Sequence, residues 1–282
     1  VNLTPSEYSR LYVRLPTTDN AGIGPFSFHR RRYLIQVYDT DAELLILCCG
    51  RQTNKSTLLG NQTLSYSTTL NNYMSLYVAP SERQAKQFSV DRLKKPITLS
   101  PYLRAYHPSV YSSDVFHKVF TTGSEVRLRY AYHNADRTRG LQTHQLTVDE
   151  LQDFAGEHIP VIEQTLFTAP PKLRRRRYTG TPKTVDNVLT GYYTESCQNE
   201  WMIPCHRHRF IVWNIAGEEN LPLKDTSLGL VCRQCKKSID PMDPMAHWAA
   251  MNPDANPLNG EGYCIPQLIA PDVDWHKMVH DY

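Results

Sequence analysis

The chain has 282 residues, 40% of them hydrophobic, enough for one large α/β domain and a smaller appendage. Its net charge of +3 permits nucleic-acid binding without arguing for it, because local placement of charge decides that. There is no run of about 18 apolar residues to span a membrane, and Val1-Asn2-Leu3-Thr4 has neither the basic nor the apolar region of a secretory signal.

The first residue is not Met, so a trimmed chain is expected. The seven cysteines do not form a disulfide pattern. Cys48 and Cys49 are adjacent in an apolar run, and Cys232 and Cys235 form a C-x-x-C. That usage fits a reducing compartment and a metal site.

Residues 1–29 are polar, carry turn residues such as Pro16 and Gly24, and show no clear period. They read as a peripheral arm. Leu44-Leu45-Ile46-Leu47 suits a strand buried on both faces, with a helix of about 12 residues following. A second strand fits Met74 to Val78, stopped by Pro80. Ser81 with Gln84 makes a capping box that opens a helix toward Leu93. Val126 to Tyr130 alternates as a half-exposed strand does. Leu146-Thr147-Val148 is another strand, and Ile159 to Leu166 fits a helix. A further strand ends in the turn Thr179-Gly180-Thr181-Pro182. Strands alternating with helices imply a mostly parallel sheet covered on both faces.

Between the first strand and its helix lies Gly50-Arg51-Gln52-Thr53-Asn54-Lys55-Ser56-Thr57. Strand, turn with Lys-Ser, then helix is the phosphate-loop context. Backbone N–H groups of such a loop cradle phosphates, the Lys reaches the β/γ-phosphates, and the hydroxyl holds Mg²⁺. Lys55 and Ser56 take those positions. In G-x-x-x-x-G-K-[ST] the two glycines fall on Cys49 and Asn54; Asn tolerates the left-handed backbone best after Gly. Asp149-Glu150 at a strand end reads as the second nucleotide motif. Asp149 would hold Mg²⁺ and Glu150 would polarise the attacking water. The hydroxyl-rich turn Thr179-Gly180-Thr181 would sit near the γ-phosphate. The fold class expected is therefore a P-loop (RecA/ASCE-like) α/β domain over residues 30–195.

Cys205-x-x-His208 and Cys232-x-x-Cys235, separated by 23 residues, present four soft ligands in two short knuckles. That set makes a closed, tetrahedral zinc site. Trp201 and Pro204 before it, and Phe210, Val212 and Trp213 after its first half, supply apolar residues for a small module. Residues 196–282 read as this zinc-binding insert plus a linker subdomain. His206 is the competing ligand, but only His208 keeps the two-residue spacing.

The order of these motifs resembles the ATPase portion of the large terminase subunit of tailed bacteriophages. Gly50 to Ser56 is similar to the family's deviant phosphate loop, with Arg51-Gln52 ahead of the Lys. Ala135 to Gly140 is similar to the segment leading into the second motif, Val148-Asp149-Glu150 matches that motif, and Thr179 to Pro182 matches the coupling motif. Gly262 to Leu268 is similar to the segment after the metal-binding insert of one branch.

The resemblance implies an ATP- and Mg²⁺-dependent motor that moves double-stranded DNA into a procapsid. It implies Arg51 acting on the γ-phosphate, a trans arginine with Arg137 and Arg139 as candidates, and a pentameric ring. The portal protein and the small terminase subunit are the implied partners. The implied place is the cytoplasm of the infected bacterium, with transient docking on the procapsid. Members also carry a downstream nuclease domain of on the order of 150 residues; nothing past Tyr282 supplies it, so a fragment of a longer protein is expected.

Two departures stand out. Asn54 replaces the Gly before the Lys. Arg174-Arg175-Arg176-Arg177 precedes the coupling turn where a buried strand should be apolar. That run is expected either on an edge strand or facing DNA phosphates, with four solvated arginines as the plain alternative. Two other functions compete: a helicase-like nucleic-acid motor, and a non-hydrolysing scaffold in which Asn54 marks a dead loop and the zinc module binds a partner protein.

Overall fold

The computed structural model describes residues 3–17, 22–107, 114–131, 138–184, 186–208, 210–212 and 218–281. In chain order the elements are α1 (Pro5–Tyr12), β1 (Arg14–Pro16), β2 (Ile23–Pro25), α2 (Leu34–Asp39), β3 (Leu44–Cys49) and α3 (Lys55–Thr69). Next come β4 (Met74–Ala79), α4 (Glu82–Phe88), α5 (Lys95–Leu99), α6 (Pro101–Tyr106), β5 (His117–Val119), β6 (Glu125–Tyr130) and β7 (Gln145–Val148). The chain continues with α7 (His158–Glu163), β8 (Arg175–Gly180), α8 (Val188–Glu195), β9 (Asn199–Cys205), β10 (Phe210–Val212), β11 (His247–Ala250), β12 (Glu261–Ile265) and α9 (Trp275–Asp281). A π-helical turn, Ser89–Lys94, joins α4 to α5.

A ten-stranded sheet runs in the order β10-β9-β12-β3-β8-β7-β4-β6-β5, with β11 paired to β9. From β9 through β6 every neighbouring pair is parallel. The antiparallel strands β5, β10 and β11 lie at the two ends. All six residues of β3 are buried. Leu45, Leu47 and Cys49 join the core under α1–α6, while Leu44, Ile46 and Cys48 join the core under α7 and α8. This is the two-residue period of a strand covered on both faces.

Three expectations change. First, residues 5–12 are not a loose arm. Thr4 and Glu7 close a capping box on α1, Ser6 bonds Asp39 through its N–H (2.8 Å) and hydroxyl (2.6 Å), and buried Tyr8 packs on α3 with its hydroxyl 2.5 Å from Thr68 Oγ1. Second, β8, which carries the arginine run, is no edge strand: it lies between β3 and β7. Arg177 is fully buried and its Nη1 donates to the carbonyls of Ala42 (3.0 Å), Glu43 (3.3 Å) and Arg176 (3.0 Å). Arg176 is held between Glu43 (3.3 Å) and Glu163 (3.2 Å). The arginines fit a central strand because carbonyls and carboxylates meet them at its entry, so the run does not present four solvated charges to DNA. Third, the sheet continues across residue 195, since β9 and β12 belong to it. The helix expected from Ser81 is present but passes through the π-helical turn, and its capping box is formed.

Because Tyr8 is buried in the main core, Tyr8→Ala should lower the unfolding free energy by about 3 kcal/mol in chemical denaturation. A peripheral arm would show a change within about 0.5 kcal/mol.

Candidate functional site

The site lies at the carboxyl ends of the parallel strands, where open α/β sheets place ligands. After β3, Gly50 donates its N–H to the Ile265 carbonyl (2.8 Å). A Cβ on Gly50 would sit 2.5 Å from the Gln267 nitrogen, so glycine here lets the loop lie against the end of β12. Gln52 (φ 61°) and Asn54 (φ 65°) both take left-handed backbone. Buried Thr53 donates its hydroxyl to the Gly50 carbonyl (3.0 Å) and pins the turn.

Helix α3 then begins at Lys55, and no side chain caps its first turn. Beside the core residues Leu58, Leu59 and Leu64 it buries polar groups: Asn61 and Gln62 donate to the Tyr38 hydroxyl (3.1 Å) and carbonyl (2.8 Å), and Thr63 accepts from Gln145 (3.1 Å). These buried bonds fix the helix and thereby the loop.

Lys55 Nζ donates to Glu150 Oε1 at 2.7 Å and lies 3.5 Å from Thr181 Oγ1. Gln152 Nε2 donates to the other Glu150 oxygen, Oε2, at 2.7 Å. Glu150 itself is left-handed (φ 53°). Burial pushes its carboxyl up, but Lys55, Gln152 and Lys183 outweigh it and hold the pKa below the ordinary value. Asp149 is buried; it accepts from the Tyr77 hydroxyl at 2.8 Å, from the Glu150 N–H at 3.0 Å and from the Thr179 hydroxyl at 3.4 Å. Burial raises its pKa, and Lys55 offsets only part of that.

A cavity of about 620 Å³ opens between the phosphate loop and the Thr181-Pro182-Lys183 turn. Gly50, Arg51, Gln52, Thr53, Asn54, Lys55, Ser56 and Thr57 form one wall, and Glu150 with Gln152 the other. A second cavity of about 250 Å³, lined by Asp149, adjoins it at Ser56, Gln84, Arg92 and Glu150. The structure thus brings together Arg51, Lys55, Ser56, Asp149, Glu150 and Thr181. Thr179 and Gly180 are buried; Thr179 reaches the site through Asp149. Arg139 lies within the described residues, whereas Ala135, Asp136 and Arg137 lie outside them.

Residues with no expected role also line these cavities: Tyr77, Gln84, Arg92 and Lys183. Arg92 comes from the π-helical turn, which lies against α3: a Cβ on Gly60 would be 2.8 Å from the Arg92 carbonyl. No sequence motif marks Tyr77 or Arg92. Gln84 is visible only as a helix cap.

The cysteine and histidine set forms a second centre at the far end of β9. The ligand atoms of Cys205, His208, Cys232 and Cys235 all lie within 4.8 Å of one another. Cys205 Sγ is 3.8 Å from Cys235 Sγ and 3.3 Å from His208 Nδ1. Zn–S bonds of roughly 2.3 Å in a tetrahedron place two sulfurs roughly 3.8 Å apart, so the donor set is compatible with zinc. His206 turns away to Asp243 at 2.5 Å. Trp201, on the same strand, packs against Trp248 at 5.3 Å between ring centroids. Phe210 and Val212 lie on β10, and Trp213 falls outside the described residues.

Comparison with known proteins finds a related fold and a family. The large terminase of bacteriophage HK97 is similar in fold, with a TM-score of 0.54 at 14% identity over 67% of this chain and 40% of that one. The large terminase ATPase domain of Thermus phage P74-26 matches at 17% identity over 66% of this chain and 76% of that one, with a TM-score of 0.48. A large terminase from a thermophilic bacteriophage, in complex with ADP, matches at 14% identity over 56% of this chain and 39% of that one, with a TM-score of 0.40. No curated protein matches. The family described as phage terminase large subunit gpA, ATPase domain, matches residues 30–251, and the chain belongs to that family.

Proposed function

We propose that the chain hydrolyses ATP to drive double-stranded DNA into a viral procapsid. The observation that carries this reading is the meeting of Lys55 and Glu150 at 2.7 Å, with buried Asp149 beside them, on the rim of a cavity walled by the phosphate loop.

In this reading the N–H groups of Gln52 to Thr57 and the Lys55 ammonium hold the phosphates. Ser56 and Asp149 hold Mg²⁺, which neutralises charge on the β- and γ-phosphates when bound. Glu150, kept anionic by its cationic and amide neighbours, takes a proton from the attacking water as the bond from the γ-phosphorus to ADP breaks. Arg51, exposed on the cavity rim, answers the charge on the γ-phosphate. The turn Thr179 to Pro182 couples hydrolysis to motion, and Arg139 or Arg137 serves a neighbouring subunit. DNA would be gripped through its phosphates without sequence preference. The portal protein, the small terminase subunit and a homo-oligomeric ring complete the motor, in the cytoplasm of the infected bacterium. The chain spans 40% of the HK97 terminase, and a nuclease domain would belong to such additional length. Cys205, His208, Cys232 and Cys235 hold a structural zinc that ties β9 to the loop carrying the second knuckle.

Mg²⁺-dependent ATP turnover, stimulated by double-stranded DNA, tests the reading. Glu150→Ala should lower kcat by about 10²- to 10⁴-fold while nucleotide still binds. A variant as active as wild type, or a wild type that binds no nucleotide, would overturn it; the latter would favour the scaffold. For the metal, elemental analysis should find one zinc per chain, lost in Cys232→Ser together with thermal stability. A metal-free preparation that is fully folded would rule the zinc out.

A further inference from the structure

Gln152 follows the acidic pair by two residues, on the 3₁₀ turn Leu151–Asp153. Both ends of its side-chain amide are engaged. Nε2 donates to Glu150 Oε2 at 2.7 Å, and Oε1 accepts the Thr181 backbone N–H at 3.2 Å. Only this orientation of the amide works. Reversed, its oxygen would face a carboxylate and its NH₂ would face an N–H.

Gly180 supplies the second observation. A Cβ at position 180 would lie 1.9 Å from Gln152 Oε1 and 3.1 Å from its Cδ. Gly180 is not among the glycines with positive φ, so it is not there for backbone freedom. The space it leaves is filled by the Gln152 amide. The turn and Gln152 are therefore fitted to each other.

We infer that Gln152 is a positioning residue that ties the base Glu150 to the Thr179–Pro182 turn and carries motion between them. The inference rests on the ATPase reading above. Glu150 meets this turn along two edges. Lys55 spans one, bonding Glu150 Oε1 and reaching Thr181 Oγ1, and Gln152 spans the other. A γ-phosphate that draws Lys55 away opens the first edge. The Gln152 amide then remains as the direct hydrogen-bonded path from the base to the Thr181 backbone. A shift of the Glu150 carboxylate when it takes its proton, or when phosphate leaves, pulls or releases Thr181 through that amide.

The test uses Gln152→Met, which keeps the volume and removes both bonds, and Gly180→Ala, which displaces the amide from the opposite side. The double variant completes a cycle. For each, ATP turnover with and without double-stranded DNA is measured beside the dissociation constant of a non-hydrolysable ATP analogue with Mg²⁺. Each single variant should lose about tenfold or more in kcat and its stimulation by DNA, with analogue affinity held within about threefold. The double variant should be no worse than the poorer single one. Wild-type kcat with retained DNA stimulation in Gln152→Met would overturn the inference. So would a loss confined to analogue binding, or fully additive losses in the double variant. A wild type with no turnover would instead overturn the ATPase reading itself, so the two failures are told apart.

Discussion

Lys55 and Glu150 are 95 positions apart in sequence and meet at 2.7 Å. Their strands, β3 and β7, are not neighbours, because β8 lies between them. The ion pair therefore bridges over the end of β8, which is where Thr179, Gly180 and Thr181 stand. That strand order makes one compact unit of the phosphate loop, the acidic pair and the turn expected to couple them. A loop or carboxylate displaced by one strand would break the contact. Much of the remaining fold fixes these three strand ends: the buried polar bonds of α3, the close approach of Gly50 to the segment after β12, and the cores on both faces of β3.

The two carboxylates sit in different surroundings. Asp149 is enclosed by Tyr77, Thr179 and the Glu150 N–H, and its burial disfavours the charge. Glu150 faces the cavity and is held anionic by Lys55, Gln152 and Lys183 despite partial burial. Neighbouring acids driven in opposite directions by environment are the usual sign of separate tasks. Here the enclosed one suits a cation, whose charge would make good its desolvation, and the open one suits a water molecule.

Much of this was legible in the sequence because the chemistry sits in short contiguous runs. Gly50 to Thr57, Asp149-Glu150 and the two Cys/His knuckles each carry their ligand spacing within a few residues, and the structure gathers each set. Contacts that depend on tertiary context were not legible. Arg174 to Arg177 breaks the apolar pattern of a central strand, and partners brought in from elsewhere, among them the carbonyls of Ala42 and Glu43 and the carboxylates of Glu43 and Glu163, explain why it is tolerated. Residues 5–12 show a capping box but too short an apolar face to announce that Tyr8 enters the main core. Gln152 and Arg92 have no motif of their own, since one is defined by the space above Gly180 and the other by a π-helical turn. The segment Gly262 to Leu268 could be matched to a family segment, yet its role as the strand beside β3 follows from pairing partners far away in sequence.

In the proposed reading Lys55 is shared: Glu150 holds it at 2.7 Å, and a bound triphosphate would take it. The most direct measurement is the calorimetric affinity for a non-hydrolysable ATP analogue with Mg²⁺ in wild type and Glu150→Gln, because no turnover can then distort the comparison. Removing the charge that competes for Lys55 should tighten binding, by up to about fivefold for a partly exposed pair. Equal or weaker binding by Glu150→Gln would show that Lys55 does not leave Glu150 to bind phosphate.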